Sequence, residues 1–159
     1  MHKFSDIRSD AIRKKNEIYI KSSELGNESE AIVCERKLLE DTRSRIPVDL
    51  PDDVKSLIDE RMNGIAEELK AKSESISEKI DAAQDEADVA LEEMRTIGND
   101  LGEKGESLIN RKDIPLIGSF LESKGIEMMD QKEQMYDLAK ETQKYSDSLA
   151  KSGIKITNR

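Results

Sequence analysis

Two lines of small or apolar residues recur at sevenfold spacing between positions 52 and 101. The first line is Met62, Leu69, Ile76, Ala83, Ala90 and Ile97, and the second is Ala66, Ser73, Ile80, Ala87, Met94 and Leu101. No proline interrupts this segment, and no glycine lies between Gly64 and Gly98. A heptad pattern held over about five repeats predicts one long helix over 52–101 that packs through a coiled-coil-like seam.

A similar line predicts the first helix. It consists of Phe4, Ala11, Ile18, Leu25, Ile32, Leu39 and Ile46. The tripeptide 25–27 is typical of a helix stop, and Asn27 with Glu30 can form a capping box for a second start. The sevenfold register nevertheless passes through Gly26 without a slip, and one interior glycine costs only about 1 kcal/mol. One helix over 4–45 is therefore favoured, with two shorter helices as the alternative.

Prolines and glycines mark the two connections between helices. Pro47 disfavours helical geometry at the preceding residue, and Pro51 suits the first turn of the second helix. A loop this short favours antiparallel packing of the helices that it joins. Gly98, Gly102 and Gly105 predict that the second helix ends near residue 101 and frays into a glycine-rich connector over 98–113, with or without a short helical turn at 106–110.

A third helix is predicted over 115–152, with Asp113 as its N-cap and Pro115 in its first turn. Its predicted buried stripe consists of positions spaced by four or three residues, most of them apolar and a few polar: Ile117, Leu121, Lys124, Met128, Gln131, Met135, Leu138, Thr142, Tyr145 and Leu149. Gly153 is a natural stop, which leaves 154–159 as a loose or strand-like end.

The composition agrees with long helices that each bury one narrow stripe. Hydrophobic residues make up 35% of the 159 positions, charged residues 38% and aromatic residues only 3%. Disorder is the competing interpretation of so charged a chain, but the regular heptads argue against it. The sequence therefore predicts one all-α domain over 1–159: an elongated antiparallel bundle of about three long helices with coiled-coil-like packing.

The charge balance limits the classes of partner. Positions 52–101 hold fifteen acidic and six basic residues, an excess equal to the whole chain's net charge of −9. Such a balance disfavours nucleic acid and anionic membrane surfaces, both of which attract clustered Lys and Arg. The N-terminal residues lack the apolar core of a conventional signal peptide, and no run approaches the roughly 20 apolar residues of a transmembrane helix. These features predict a cytoplasmic location and no transmembrane segment.

No arrangement of residues in the sequence indicates catalysis, a metal or a cofactor. The only histidine is His2, so Ser–His and Cys–His catalysis lack a base, and a carboxylate–histidine metal site lacks its ligand. Cys34 is the only cysteine, which points to a reducing compartment. It is interpreted as a small core residue. The sequence therefore predicts a protein that is not an enzyme, with no catalytic residue and no cofactor.

The most hydrophobic short stretch is 114–121, and it supplies the candidate interface. The residues concerned are Ile114, Leu116, Ile117, Phe120 and Leu121. One interpretation is a helix start that covers the end of the bundle. The other is an exposed patch that docks on another protein.

The tripeptide Thr96-Ile97-Gly98 carries a resemblance to a known group of proteins. It lies at the predicted end of a long helix, where small helical type VII secretion substrates and targeting partners (the Trp-x-Gly and LXG-associated proteins) place their Trp-x-Gly turn. The tryptophan is absent, and Tyr19, Tyr136 and Tyr145 lack the acidic residue four positions on. The resemblance covers architecture and transfers no functional residue. It implies a helical partner or shaft of a larger exported protein, exported without a conventional signal peptide.

Two functional hypotheses follow. The first is a non-enzymatic helical interaction module, such as a secretion substrate, targeting partner or stalk, that binds a protein partner. The second is a coiled-coil structural protein that assembles with itself. Polar residues within the first and third stripes fit either one.

The elongated shape gives a first testable prediction. A helix of fifty residues spans about 75 Å at 1.5 Å per residue, far more than the width of a bundle of three helices. Small-angle X-ray scattering should therefore show an extended particle. A near-spherical particle would contradict the predicted architecture.

Overall fold

The chain forms three α-helices in the computed structural model, which describes residues 3–157. α1 spans Phe4–Ser44, α2 spans Asp52–Ile109 and α3 spans Gly118–Thr157. Residues 3–157 contain no β-strand, and the helices pack against one another as an all-α bundle. The predicted fold class is confirmed, and so is the single first helix, because α1 runs through Gly26 without interruption.

The boundaries around the second connection differ from the prediction. α2 continues to Ile109 instead of ending near residue 101, and α3 begins at Gly118 instead of residue 115. Pro115 therefore lies in the loop and not in the first turn of α3. The extra turns of α2 are helical because their glycines, which have no side chains, allow α3 to pack directly against them.

The end of α3 also differs from the prediction. The helix passes through Gly153, where the sequence predicts a stop, and continues to Thr157. It continues because Ile156, only 1% exposed, is held in the core. The predicted loose segment 154–159 is thus helical as far as residue 157, and residues 158–159 lie outside the described range.

The chain divides into two compact units, and the first comprises residues 3–20 and 85–147. Its buried apolar residues are Ala11, Ile18, Ala87, Ala90, Leu91, Met94, Met135, Leu138 and Ala139. Small side chains on α2 leave room for the methionines, and both Met94 and Met135 are at most 1% exposed. Thr142 is also fully buried, and its hydroxyl donates a hydrogen bond to the Leu138 carbonyl at 2.8 Å. This polar position in the α3 stripe is therefore satisfied within its own helix.

The second unit comprises residues 21–84 and 148–157. Its buried apolar residues are Leu25, Ile32, Met62, Leu69, Ile76, Ile80, Ala83, Leu149 and Ile156. Ser73 is the polar member of a sevenfold line, and it is buried here. Its Oγ accepts a hydrogen bond from Arg36 Nη2 at 2.8 Å and lies 3.3 Å from the Ile156 carbonyl, to which it donates. The polar break in the apolar stripe thus joins all three helices of this unit.

The sevenfold lines mark the packing surfaces of α1 and α2. Every member of the two lines in α2, and of the line through α1, is buried or half-buried. The predicted α3 stripe is wrong at two positions. Ile117 is exposed and lies before α3 begins, and Lys124 is exposed while the neighbouring Gly125 is buried. The interpretation of Cys34 as a core residue is also wrong, because the thiol is exposed. The buried face of α1 at this level is formed by Ile32, and a residue two positions further along a helix points away from that face.

The burial of α2 generates a stability prediction. Ile76 is 8% exposed and Ile80 only 1%, so Ile76→Asp would place an unpaired charge against the core. We expect a loss of several kcal/mol in the free energy of unfolding, or no folding at all. Thermal melting followed by circular dichroism measures the effect. Leu57→Asp on the same helix is the matched control, because Leu57 is 66% exposed. Equal melting of the two variants would show that the Ile76 face is open to solvent.

Candidate protein-interaction site

The candidate site lies at the end of the first unit, where α2 and α3 extend past the start of α1. Lys14 Nζ lies 2.5 Å from Glu93 of α2, and Lys15 Nζ lies 2.9 Å from Glu141 of α3. At 1.5 Å rise per residue, these contacts put Phe4 level with about residue 103 of α2 and about residue 130 of α3. The residues beyond those levels form a two-helix hairpin, and we call 103–129 the hairpin tip.

Glycines hold the two helices of the hairpin tip in close contact. A Cβ atom added at Gly105 would lie 2.9 Å from the Gly125 carbonyl oxygen, and one added at Gly125 would lie 2.6 Å from the Gly105 carbonyl oxygen. Real Cβ atoms do not approach other atoms so closely, so only glycine fits at this crossing. Gly98 and Gly102 continue the same face of α2 and lie against Tyr136 and Lys132 of α3. The prediction of a glycine-rich connector is therefore wrong, because these glycines pack one helix against another.

The loop that closes the hairpin is tight. The Gly118 backbone N–H donates a hydrogen bond to the Ile114 carbonyl at 2.8 Å. A Cβ atom at Gly118 would overlap the Lys112 carbonyl oxygen, so α3 can begin here only with glycine. Leu116 has a φ of 74°, in the left-handed region that a branched side chain rarely adopts. The closed loop leaves that side chain completely in solvent.

The hairpin tip presents the apolar residues that the sequence identified. Ile114 is 42% exposed, Leu116 103%, Ile117 48% and Phe120 61%, whereas Leu121 is half-buried. We call the four exposed residues the tip patch. The tip patch faces solvent in the isolated chain, and its role as an interface stays a prediction.

Charged residues of both signs lie near the tip patch. Arg111 and Lys112 stand in the loop beside Asp113, and all three are exposed. Lys124 Nζ lies 5.9 Å from the centroid of the Phe120 ring and 3.5 Å from a Glu127 carboxylate oxygen, so this cation is paired. The excess of cations is therefore confined to the loop side of the patch.

The first unit also carries a concave feature that sequence reasoning missed. A groove of about 380 Å³ lies between α1 and α2, and its residues are Asp6, Ile7, Asp10, Ala11, Lys14, Ala90, Glu93, Met94 and Ile97. We call it the α1–α2 groove. Its floor is apolar, with Ala11 and Met94 buried and Ile7 and Ile97 half-buried. The sequence signal for this groove consists of two isoleucines, Ile7 and Ile97. They belong to helices far apart in sequence, so no local pattern pairs them.

Ionised groups line the edge of the α1–α2 groove. Lys14 Nζ bridges the two helices, at 3.2 Å from Asp10 and 2.5 Å from Glu93. Hydrogen bonds from Arg13 and then Lys14 lower the pKa of Asp10, and the bond to Glu93 raises the pKa of Lys14. These contacts therefore favour the charged forms of Asp10 and Lys14. The groove holds three carboxylates against one ammonium group.

Residues 3–157 contain neither a candidate metal-binding cluster nor a candidate membrane-spanning helix. No group of three or more His, Cys, Asp or Glu side chains within that range could hold a metal ion. None of the helices in that range combines the length and the apolar character needed to cross a membrane.

Comparison with known proteins gives no relative. Neither a family model, nor a curated protein, nor a solved structure matches the chain. Thr96-Ile97-Gly98 lies within α2 and not at a helix end, so its predicted position at a turn is wrong. The resemblance to type VII secretion proteins itself stays a prediction.

The glycine crossing generates a matched pair of variants. Gly125→Ala would place a Cβ atom 2.6 Å from the Gly105 carbonyl oxygen, and forcing the helices apart should cost about 1–3 kcal/mol. Gly64→Ala meets no atom within 4 Å, and alanine in an open helical position should stabilise by up to about 1 kcal/mol. Urea denaturation measures both. If both variants change the free energy of unfolding in the same direction, the close contact between α2 and α3 is contradicted.

Proposed function

We propose that the protein is a non-enzymatic helical module that binds another protein through the tip patch, as a secretion substrate, targeting partner or stalk does. The observation that carries this proposal is the exposure of four large apolar residues within seven positions, one of them the fully exposed Leu116. Contiguous exposed apolar patches of this kind mark interaction sites on soluble proteins.

The energetics of the tip patch support a binding role. Removing a fully exposed leucine, isoleucine or phenylalanine side chain from water contributes about 1.5–3 kcal/mol. The tip patch therefore offers a free-energy gain that the isolated chain leaves unused. The loop is ordered by its glycine contacts, so less conformational entropy is lost when a partner binds.

The backbone at Leu116 supports the same role. Its left-handed φ of 74° is strained for leucine, and glycine at that position would remove the strain. Strained conformations concentrate where a side chain has to be presented for binding or catalysis. Burial of the exposed leucine side chain by a partner would offset the cost of this strained conformation.

The finer parts of the proposal rest on the sequence. Coiled-coil-like packing follows from the sevenfold lines, and the non-enzymatic assignment follows from the single histidine, His2. A cytoplasmic location, with export as the resemblance to secretion proteins implies, completes the proposal. The alternative function, self-assembly, is favoured by one further observation, the α1–α2 groove, and is developed below.

The tip patch gives the test of this function. Leu116→Asp combined with Phe120→Ser should abolish partner binding without loss of helical content, because both side chains are more than half exposed. The measurement is the recovery of a stoichiometric protein complex on the full-length chain as bait, beside circular dichroism of the same variant. A collapse of helical content with no separable binding defect would show that the patch is structural.

The matched control changes two equally exposed leucines outside the tip. Leu57 is 66% exposed and Leu38 65%, so Leu57→Asp combined with Leu38→Ser alters surface hydrophobicity to a similar extent. This control should keep the partner. If both double variants lose it, binding depends on general surface hydrophobicity, and the tip patch is not a specific site.

A further inference from the structure

Two features of the first unit are complementary to each other. The tip patch is a convex apolar surface whose loop side carries two cations, Arg111 and Lys112, against one carboxylate. The α1–α2 groove is a concave apolar surface with a carboxylate edge. Every copy of the chain carries both surfaces, so the tip patch of one copy can meet the groove of another.

The geometry points to a second copy of this chain as the occupant of the α1–α2 groove: the tip patch of one copy docks into the groove of the next. This inference rests on the proposed function, because it names the partner of the same tip patch. It commits to head-to-tail contact, in which two different surfaces of the chain meet.

Shape is the first part of the complementarity. The groove has a volume of about 380 Å³, within the range of roughly 300–1,000 Å³ that is typical of binding clefts. Its floor is formed by small side chains, Ala11 and Ala90, flanked by the half-buried Ile7 and Ile97. Leu116 projects fully from the hairpin tip, so it can enter a concave surface without movement of the helices.

Charge is the second part. Arg111 and Lys112 flank the tip patch and outnumber Asp113 in the loop. Asp6, Asp10 and Glu93 line the groove beside Lys14, and Arg13 contacts Asp10 from outside it. Asp6 is exposed at the first turn of α1, in the position to meet an incoming cation. Opposite charges at the two edges favour the tip-to-groove contact over contact between two tips.

The symmetry of this contact determines the product. Because different surfaces meet, each added copy leaves one tip and one groove free, and the association does not close at a dimer. Four apolar side chains form a contact of the small, weak class, below about 1,200 Å². We therefore expect reversible association in the range of about 10 µM to 1 mM, with an average mass that rises past the dimer.

The test uses two full-length variants with complementary defects. The tip variant carries Leu116→Asp and keeps its groove. The groove variant carries Asp6→Lys with Ile7→Ser and keeps its tip. Sedimentation velocity at matched concentrations should find each variant monomeric alone. An equimolar mixture should form a one-to-one heterodimer and stop there, because the only remaining tip and groove are the defective ones.

Matched controls separate specific contact from altered solubility. Leu57→Asp removes an exposed leucine in the second unit, and Ser9→Lys adds a lysine to an exposed α1 position outside the groove. Both should associate like the unaltered chain. A charge exchange adds a readout of register: Lys112→Asp should weaken association at least tenfold, and adding Asp6→Lys to the same chain should restore it.

Each contrary result has a defined meaning. If the tip variant is monomeric while the groove variant still dimerises, the contact is between two tips. That result overturns the inference. An unaltered chain that stays monomeric at about 1 mM, or a mixture that fails to associate, also overturns it. If the tip double variant then loses a different protein partner, the proposed function stands without self-association. If the tip double variant loses no protein partner either, the proposed function and the self-association inference both fail.

Discussion

The backbone contact between Gly105 and Gly125 is the constraint on which the tip of the first unit depends. Two helices that meet at their backbones can be joined by a short loop, and Gly118 fits that loop only because it has no Cβ atom. A loop so tight has no interior in which to bury a side chain. Leu116 is consequently turned into solvent in a left-handed conformation. The exposed patch is thus a result of close helix packing.

The sequence predicted the parts of the fold that depend on periodicity. A sevenfold apolar line reports the packing face of a helix directly, so α1 and the buried face of α2 followed from spacing alone. Glycine is ambiguous in one sequence, because it permits both chain turns and close helix contact. The spacing of Gly98, Gly102 and Gly105 by four and three is the clue that they share one helical face. Gly125 on α3 completes the contact, and no local pattern pairs it with α2.

The two halves of the candidate site differed in predictability for a similar reason. The tip patch is continuous in sequence, so its hydrophobicity was visible as a run of residues. The α1–α2 groove brings Ile7 beside Ile97, and that pairing exists only once α1 and α2 lie side by side. The apolar neighbours of Cys34 in sequence predict that it is buried, but the structure leaves it exposed. On a helix the position relative to the packing stripe decides burial, and Cys34 is off that stripe.

Small residues connect packing to binding in the first unit. Ala11 and Ala90 allow α1 and α2 to approach each other, but they do not fill the outer side of the contact, which leaves a groove. The glycines of α2 likewise bring α3 close and force the loop side chains outward. A core of larger side chains would separate these helices, fill the groove and give the loop room to fold its leucine inward. The same choice of small residues therefore creates both a concave and a convex apolar surface. A chain built this way has exposed apolar area at two places of opposite shape, and these are the two surfaces on which the proposed contacts with another protein or a second copy depend.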